Sequence, residues 1–157
     1  MWNAKGFVLR GIVRVAAVWI VAAPGLSQAT PDVLRVASAH HPMPLLERLV
    51  DQYQLDTGNK VLLIEGSDAE LGGDIAQGAA FDMFFPDDQA SAVRLHAKGR
   101  GEAPATYACD AQPRQYLVLV EGSRQALAER FVGYLRQHPQ ALSEAGFTPA
   151  GEPGCKP

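Results

Sequence analysis

A strand-like apolar run followed by a helical pattern occurs three times in succession in this chain. The runs are residues 33–39, 60–65 and 81–85, and each precedes a helical pattern of apolar residues or a helix-start signal. Ser67 to Glu70 has the form of a capping box, which opens the second helix. Strands that alternate with helices pair in parallel through right-handed crossovers. The repeat therefore predicts an α/β fold, with a three-layer, doubly wound and mainly parallel sheet.

The remainder of the chain predicts one more strand and two helices. The strand covers residues 115–120, and the helices cover residues 124–138 and 139–145. Residues 100–113 have no period and are interrupted by Gly, Ala and Pro, which is typical of a connection. We expect one domain over residues 30–157.

The first 29 residues have the features of a secretory signal peptide: a basic start, an apolar run over 12–23 and a small-residue cleavage site at Ala29. The uninterrupted apolar stretch is too short to span a bilayer, so we expect export to the periplasm without membrane insertion. Without this leader, 128 residues remain, with 11 Lys or Arg and 17 Asp or Glu, a formal net charge of −6. This acidity excludes nucleic-acid binding as the main function and favours a cationic ligand.

Most of the chain after the leader resembles the first lobe of the periplasmic molybdate-binding proteins of ABC transporters. The similar segments are 34–39, 57–61, 66–71, 74–85, 87–89 and 124–148. The resemblance implies a type II solute-binding fold. Members of the family insert a second α/β lobe before the returning strand and close both lobes on the oxyanion. Here that position holds only residues 100–113, which are too few for a lobe, so we expect a single lobe.

The resemblance also places two of the family's oxyanion-binding Ser residues at His41 and Asp68. A carboxylate at position 68 would repel molybdate. Pro42 and Pro44 remove two backbone N–H donors from the start of the first helix, where an anion would otherwise bind. Molybdate binding is therefore not expected, despite the fold.

Histidines and carboxylates follow the three parallel strands, and ligands of such sheets bind beyond the carboxyl ends of the strands. Two imidazoles with carboxylates suit a divalent transition metal, with copper favoured over zinc. Carboxylates in a first helical turn also cap the helix without any ligand, so this structural role stays open for the three aspartates. We predict a ligand site of His40, His41, Asp68, Asp87 and Asp88, beside Glu65, with His40, His41, Asp68 and Asp88 as the metal ligands.

Cys109 and Cys155 are the two thiols of a chain that we expect to be exported. In an oxidising compartment, such a pair favours a disulfide over a redox or metal site. The disulfide would join the 100–113 connection to the C-terminal tail.

No nucleophile elbow, phosphate loop or metalloprotease motif occurs in the sequence, so we predict that the chain is not an enzyme. The leading hypothesis is an exported single-lobe protein that binds copper or zinc, for delivery to a periplasmic or membrane partner or as a homodimer. One alternative is an interaction module without a small ligand. Another is molybdate or other oxyanion binding for ABC transport, with the second lobe on a separate chain.

Overall fold

The computed structural model describes residues 32–110 and 114–156. Within these ranges the chain forms six strands and five helices, and the helix and strand order follows the predicted alternation. The elements are β1 (Val33–Ser38), α1 (Met43–Thr57), β2 (Lys60–Glu65), α2 (Asp68–Ala76), β3 (Met83–Phe85), α3 (Gln89–Ala97), β4 (Ala105–Cys109), β5 (Arg114–Leu119), α4 (Gln125–Gln137), α5 (Pro139–Glu144) and β6 (Thr148–Pro149).

Local signals in the sequence explain where the helices of the parallel half begin and end. Pro44 lies in the first turn of α1, and Gly58 ends that helix in the left-handed conformation, with φ of 72°. Ser67 caps α2 by accepting a hydrogen bond from the Glu70 N–H, and Asp88 caps α3 through the Ser91 N–H. These caps hold the strand–helix turns in which the polar side chains of the predicted site lie.

The six strands form one sheet in the order β2-β1-β3-β5-β4-β6. β1 pairs in parallel with β2 and β3. β5 runs antiparallel to both β3 and β4, and β6 runs antiparallel to β4. Four strands therefore point in one direction and two in the other, which confirms a mainly parallel sheet.

Helices cover both faces of the sheet, which confirms the three-layer α/β prediction. On one face, α1, α4 and α5 pack over a core that includes Leu46, Phe85 and Phe131. On the other face, α2 and α3 pack over a smaller core that includes Ile75, Phe84 and Leu95. All six of these side chains are at most 2% exposed. The two cores fix the strand ends, and with them the positions of the loops that carry the polar residues.

The prediction of an irregular connection over residues 100–113 was wrong in part, because Ala105–Cys109 forms β4. This strand forms through pairing with β5 on one side and β6 on the other, and its own sequence shows no alternation that would reveal it. β6 lies in the segment that we took for an irregular tail. The third strand is also shorter than predicted, because only Met83–Phe85 pair in the sheet.

The predicted disulfide is confirmed. Cys109 at the end of β4 is bonded to Cys155, with their Cα atoms 5.5 Å apart. Cys155 is fully buried and Cys109 is 8% exposed. The bond attaches the C-terminal segment to β4, where residues 100–113 meet the predicted tail.

The predicted signal peptide lies outside the described residues. Within residues 32–110 and 114–156, none of the helices has the length and apolar character needed to cross a membrane.

Candidate functional site

The carboxyl ends of the parallel strands form one edge of the sheet, which we call the carboxyl edge. Its members are His40 and His41 after β1, Glu65 at the end of β2, Asp68 after β2, Asp87 and Asp88 after β3, and Asp110 after β4. All the side chains predicted for the ligand site lie on this edge. The chain therefore places them in one region, as their positions after the strands predict.

The two histidines do not share a partner. His40 Nδ1 donates to Glu65 Oε1 at 2.8 Å, whereas His41 Nε2 lies 3.1 Å from Asp110 Oδ2. Glu65 is the last residue of β2 and Asp110 follows β4, and these strands lie on opposite sides of β1 in the sheet. The two imidazoles therefore pair with carboxylates on opposite sides of β1, although the residues are adjacent in sequence.

Asp68 and Asp87 bind backbone N–H groups of neighbouring loops. The Asp68 carboxylate accepts hydrogen bonds from the N–H of Asp87, at 3.0 and 3.1 Å, and from the N–H of Asp88, at 3.2 Å. Asp87 Oδ1 in turn accepts from the His41 N–H at 3.0 Å. A chain of carboxylates thus joins the loops after β1, β2 and β3.

Asp88 serves α3. Its Oδ1 accepts from the Ser91 N–H at 2.6 Å, which makes it the N-cap of that helix. Helix capping is the structural role that the sequence also allows for the aspartates. One carboxylate oxygen of Asp88 is therefore committed to the helix cap, and the second oxygen is the one left to bind a ligand.

Two titratable groups of the carboxyl edge have shifted pKa values. The hydrogen bond to Glu65 raises the pKa of His40 above its ordinary value, and the charges of Glu65, Asp87 and Glu70 add to this effect. Burial raises the pKa of the Asp68 carboxyl, since desolvation disfavours its charge more than the backbone hydrogen bonds favour it. The edge thus favours positive charge on His40.

The four predicted metal ligands do not form one coordination group in the described conformation. Within residues 32–110 and 114–156, no group of three or more His, Cys, Asp or Glu side chains is arranged to hold a metal ion. His40, His41, Asp68 and Asp88 each bind a different partner instead. Metal binding by these residues stays a prediction.

Sequence reasoning missed Asp110 and Phe147. Asp110 follows a strand that was not recognised, so its position on the carboxyl edge was hidden. Phe147 packs edge-on against the His41 ring, with ring centroids 5.5 Å apart. The pairing of the cysteines was the one signal that could have revealed Asp110, since it ties the neighbouring Cys109 to the tail.

Two cavities lie away from the carboxyl edge. One of about 350 Å³ lies between α1 and the helices α4 and α5, beside Tyr134 and His138. The other, of about 520 Å³, lies at the opposite edge of the sheet, beside Lys60, Arg124 and Arg130. Neither includes a residue of the predicted site.

Comparisons with known proteins agree with this architecture. Residues 34–111, which end just after β4, match the bacterial extracellular solute-binding protein family. The periplasmic molybdate-binding protein of Azotobacter vinelandii has a similar structure, with a TM-score of 0.67, 15% sequence identity and coverage of 74% of this chain and 99% of that one. The sulfate-binding protein SubI of Mycobacterium tuberculosis gives a TM-score of 0.63, 10% identity and coverage of 76% and 88%.

No curated protein sequence matches the chain. At these levels of identity, the structural similarities establish the fold and not the ligand. The family match and the sheet order nevertheless agree with the resemblance seen in the sequence. Residues 34–111 therefore match the bacterial extracellular solute-binding protein family, and the described chain has the α/β fold of one lobe of a periplasmic binding protein.

Proposed function

We propose that this chain is an exported, non-catalytic solute-binding protein whose carboxyl edge binds a cation. One observation carries the proposal: donors of this edge are already bound by carboxylates of the chain itself. Asp68 binds two backbone N–H groups, Asp87 binds the His41 N–H, and both imidazoles are paired with carboxylates. An arriving anion would meet these negative groups, whereas a cation would meet acceptors.

The charge of the ligand follows from simple electrostatics. Two like charges 4 Å apart near a protein surface repel by about 4 kcal/mol, which is about a thousandfold in affinity. The carboxylates of Glu65, Asp68, Asp87 and Asp110 all lie on the carboxyl edge. The acidity of the exported chain, with its net charge of −6, also disfavours an anionic ligand.

A divalent transition metal is the first cation to test, with copper(II) ahead of zinc. Each imidazole has one ring nitrogen next to a carboxylate, which leaves His40 Nε2 and His41 Nδ1 as the second nitrogens. Histidine ligands of metals commonly have their other nitrogen bound to a carboxylate in this way. Copper(II) heads the affinity order for nitrogen and oxygen donors. The two side chains are 66% and 48% exposed, so they can reorient to share one ion.

Titration calorimetry on the disulfide-bonded chain tests the proposal. We expect copper(II) to bind more tightly than zinc, and molybdate to bind no more tightly than about 1 mM. Replacing both His40 and His41 with Ala should weaken copper binding at least tenfold. His138→Gln, which removes an imidazole that is not part of the carboxyl edge, is the matched control. Tight molybdate binding by the unmodified chain would overturn the proposal and support the oxyanion alternative.

A single lobe leaves the bound cation open to solvent. Either a second copy of the chain or a periplasmic or membrane partner would then complete its coordination. Sedimentation with and without copper(II) separates these cases, because a homodimer would double the mass in the pure sample. An unchanged mass would favour delivery to a different protein.

A further inference from the structure

Two polar side chains are buried near the carboxyl edge with an atom that the chain leaves unpaired. Tyr107 in β4 is 4% exposed, and Gln115 in β5 is 2% exposed. Among the residues that the structure describes, neither Tyr107 Oη nor Gln115 Oε1 has a hydrogen-bond partner. An unpaired buried polar atom lowers stability, and most buried polar atoms in native proteins are paired with the chain, a water or a ligand. The two side chains therefore mark a place where the fold keeps hydrogen-bonding capacity that it does not use itself.

The hydroxyl and the amide belong to one face of the sheet, at its carboxyl edge. Gln115 pairs with Ala108, the residue after Tyr107, and one further pair of this ladder separates them from Asp110. Tyr107 lies in the core under α1, α4 and α5, and so does Leu117. Gln115 shares the face of Leu117, because it lies two residues earlier in the same strand. Both unpaired side chains are therefore neighbours on the face of the sheet that α1 covers.

The surroundings of Tyr107 connect it to the proposed cation site. Its ring packs edge-on against Phe85, the last residue of β3, with ring centroids 5.2 Å apart. Burial raises the pKa of the Tyr107 hydroxyl, and the nearby negative charge of Asp87 raises it further. Phe147, which lies in the same core, packs against the His41 ring. Residues of the carboxyl edge thus adjoin the buried hydroxyl from the loops after β1 and β3.

We infer that Tyr107 Oη and Gln115 Oε1 form the inner wall of the cation site and bind a water molecule that the cation retains. The inference rests on the proposed function, since it specifies how the buried side of the same site is completed. Water on a divalent metal ion is strongly polarised, which makes it a good hydrogen-bond donor. A phenol oxygen and an amide oxygen both accept such bonds, whereas imidazole is the better direct ligand of copper or zinc. The edge then selects a hydrated ion.

Tyr107→Phe separates this role from a structural one, because it removes the hydroxyl and keeps the ring. Removing an unpaired buried hydroxyl should raise the thermal midpoint of the metal-free chain by about 3 °C. The same change should weaken copper(II) binding about tenfold, because the retained water loses one of its acceptors. Gln115→Met, which keeps the length of the side chain and removes the amide, should have both effects as well.

Tyr134→Phe is the matched control. The Tyr134 hydroxyl donates to Asp56 Oδ2 at 2.6 Å, and neither residue is part of the carboxyl edge. Because this hydroxyl is paired, its removal should lower the thermal midpoint by about 3 °C and change copper(II) affinity by less than about threefold. Titration calorimetry measures the affinities, and scanning calorimetry without metal measures the midpoints.

Pulsed EPR of the copper-loaded chain in D₂O tests the retained water itself. We expect deuterium coupling from water on the bound copper(II) in the unmodified chain. A copper centre without bound water would overturn the inference.

The variants give two further ways to overturn it. Copper(II) affinity of Tyr107→Phe within about threefold of the unmodified chain would place the hydroxyl outside the site. A lower midpoint in Tyr107→Phe would show that the hydroxyl is structural. Failure of the unmodified chain to bind copper(II) is a separate result, which refutes the proposed function, whereas copper binding that is insensitive to Tyr107→Phe refutes this inference alone.

Discussion

The parallel and antiparallel halves of the sheet are built on different principles. In the parallel half, β2, β1 and β3 are each followed by a helix, and the loops after them carry His40, Asp68 and Asp87. In the antiparallel half, β4 and β5 form a hairpin, and β6 is a two-residue strand beside a disulfide. The first half positions most of the carboxyl edge, and the second carries the disulfide.

The two halves of the sheet are stabilised by different features. In the parallel half, β1 and β3 are mostly buried among α1, α2 and α3, and β2 lies partly exposed at the edge of the sheet. The antiparallel half also has buried strands, and in addition it has the disulfide, a buried close approach at Gly101 and a contact with the Asp82 carboxylate. Disrupting each of these features in turn measures how far the halves are independent.

Removing the disulfide should have the largest effect and should act mainly on the antiparallel half. The bond joins residues 46 positions apart, so Cys109→Ala with Cys155→Ala should lower the free energy of unfolding by about 4 kcal/mol. Urea unfolding measures the loss, and hydrogen exchange locates it. We expect β4 and β6 to lose protection before β1 and β3. A uniform loss of protection would show that the sheet unfolds as one unit.

Asp82 should have the next largest effect, because it joins the two halves. It is 4% exposed and accepts the Arg35 N–H of β1 at 2.7 Å, the Arg124 N–H at 3.1 Å and Arg124 Nη2 at 3.1 Å. Asp82→Asn leaves the guanidinium without its charged partner and should cost about 3 kcal/mol in urea unfolding. The exposed Asp74→Asn should stay within about 0.5 kcal/mol. Equal effects of the two variants would contradict a joining role for Asp82.

Two glycines, Gly101 beside β5 and Gly73 in α2, allow a matched comparison of packing in the two halves. At Gly101 an added Cβ would collide with the Val118 side chain and lie 3.2 Å from the Leu119 carbonyl oxygen, so Gly101→Ala should cost about 2 kcal/mol. At Gly73 in α2 an added Cβ meets no atom within 4 Å, so Gly73→Ala should stabilise by up to about 1 kcal/mol. Thermal unfolding checks both. A stabilising Gly101→Ala would show that β4 and β5 adapt more readily than the packing indicates.

The smallest effect concerns protonation on the parallel half. NMR titration of the His40 ring should give a pKa above its ordinary value of 6.5, and Glu65→Gln should bring it back toward that value. Because the folded-state pKa is raised, the stabilisation from protonated His40 is fully present below about pH 6.5 and is lost as pH rises through the folded-state pKa. The side chain is exposed, so the change in stability is small. An unshifted pKa would indicate that the His40 pair with Glu65 does not persist in solution.

The parallel half could be predicted from the sequence because its strands and helices carry their own signals. Apolar runs, the capping box at Ser67 and the glycine after α1 fix these elements locally. The rule that ligands bind beyond the carboxyl ends of parallel strands then placed the polar residues on one edge.

The antiparallel half was less predictable because its structure comes from tertiary pairing. Ala105 to Cys109 has no clear alternation, and β5 and β6 on either side make it a strand. Asp110 was missed with it. The carboxylate partners of His40 and His41 could not be predicted from the sequence either. Adjacent residues in a loop can turn toward different strands, and the sheet order decides which carboxylate each one contacts.

The β4–β5 hairpin places a chain connection at the carboxyl edge of the sheet. Cys109 and Arg114 are direct partners in the ladder, so the chain leaves and re-enters the sheet at positions about 5 Å apart. A longer segment between them would add little to the entropic cost of closing the loop, because that cost grows slowly with loop length. A reporter domain inserted between Cys109 and Arg114 would therefore lie beside the carboxyl edge.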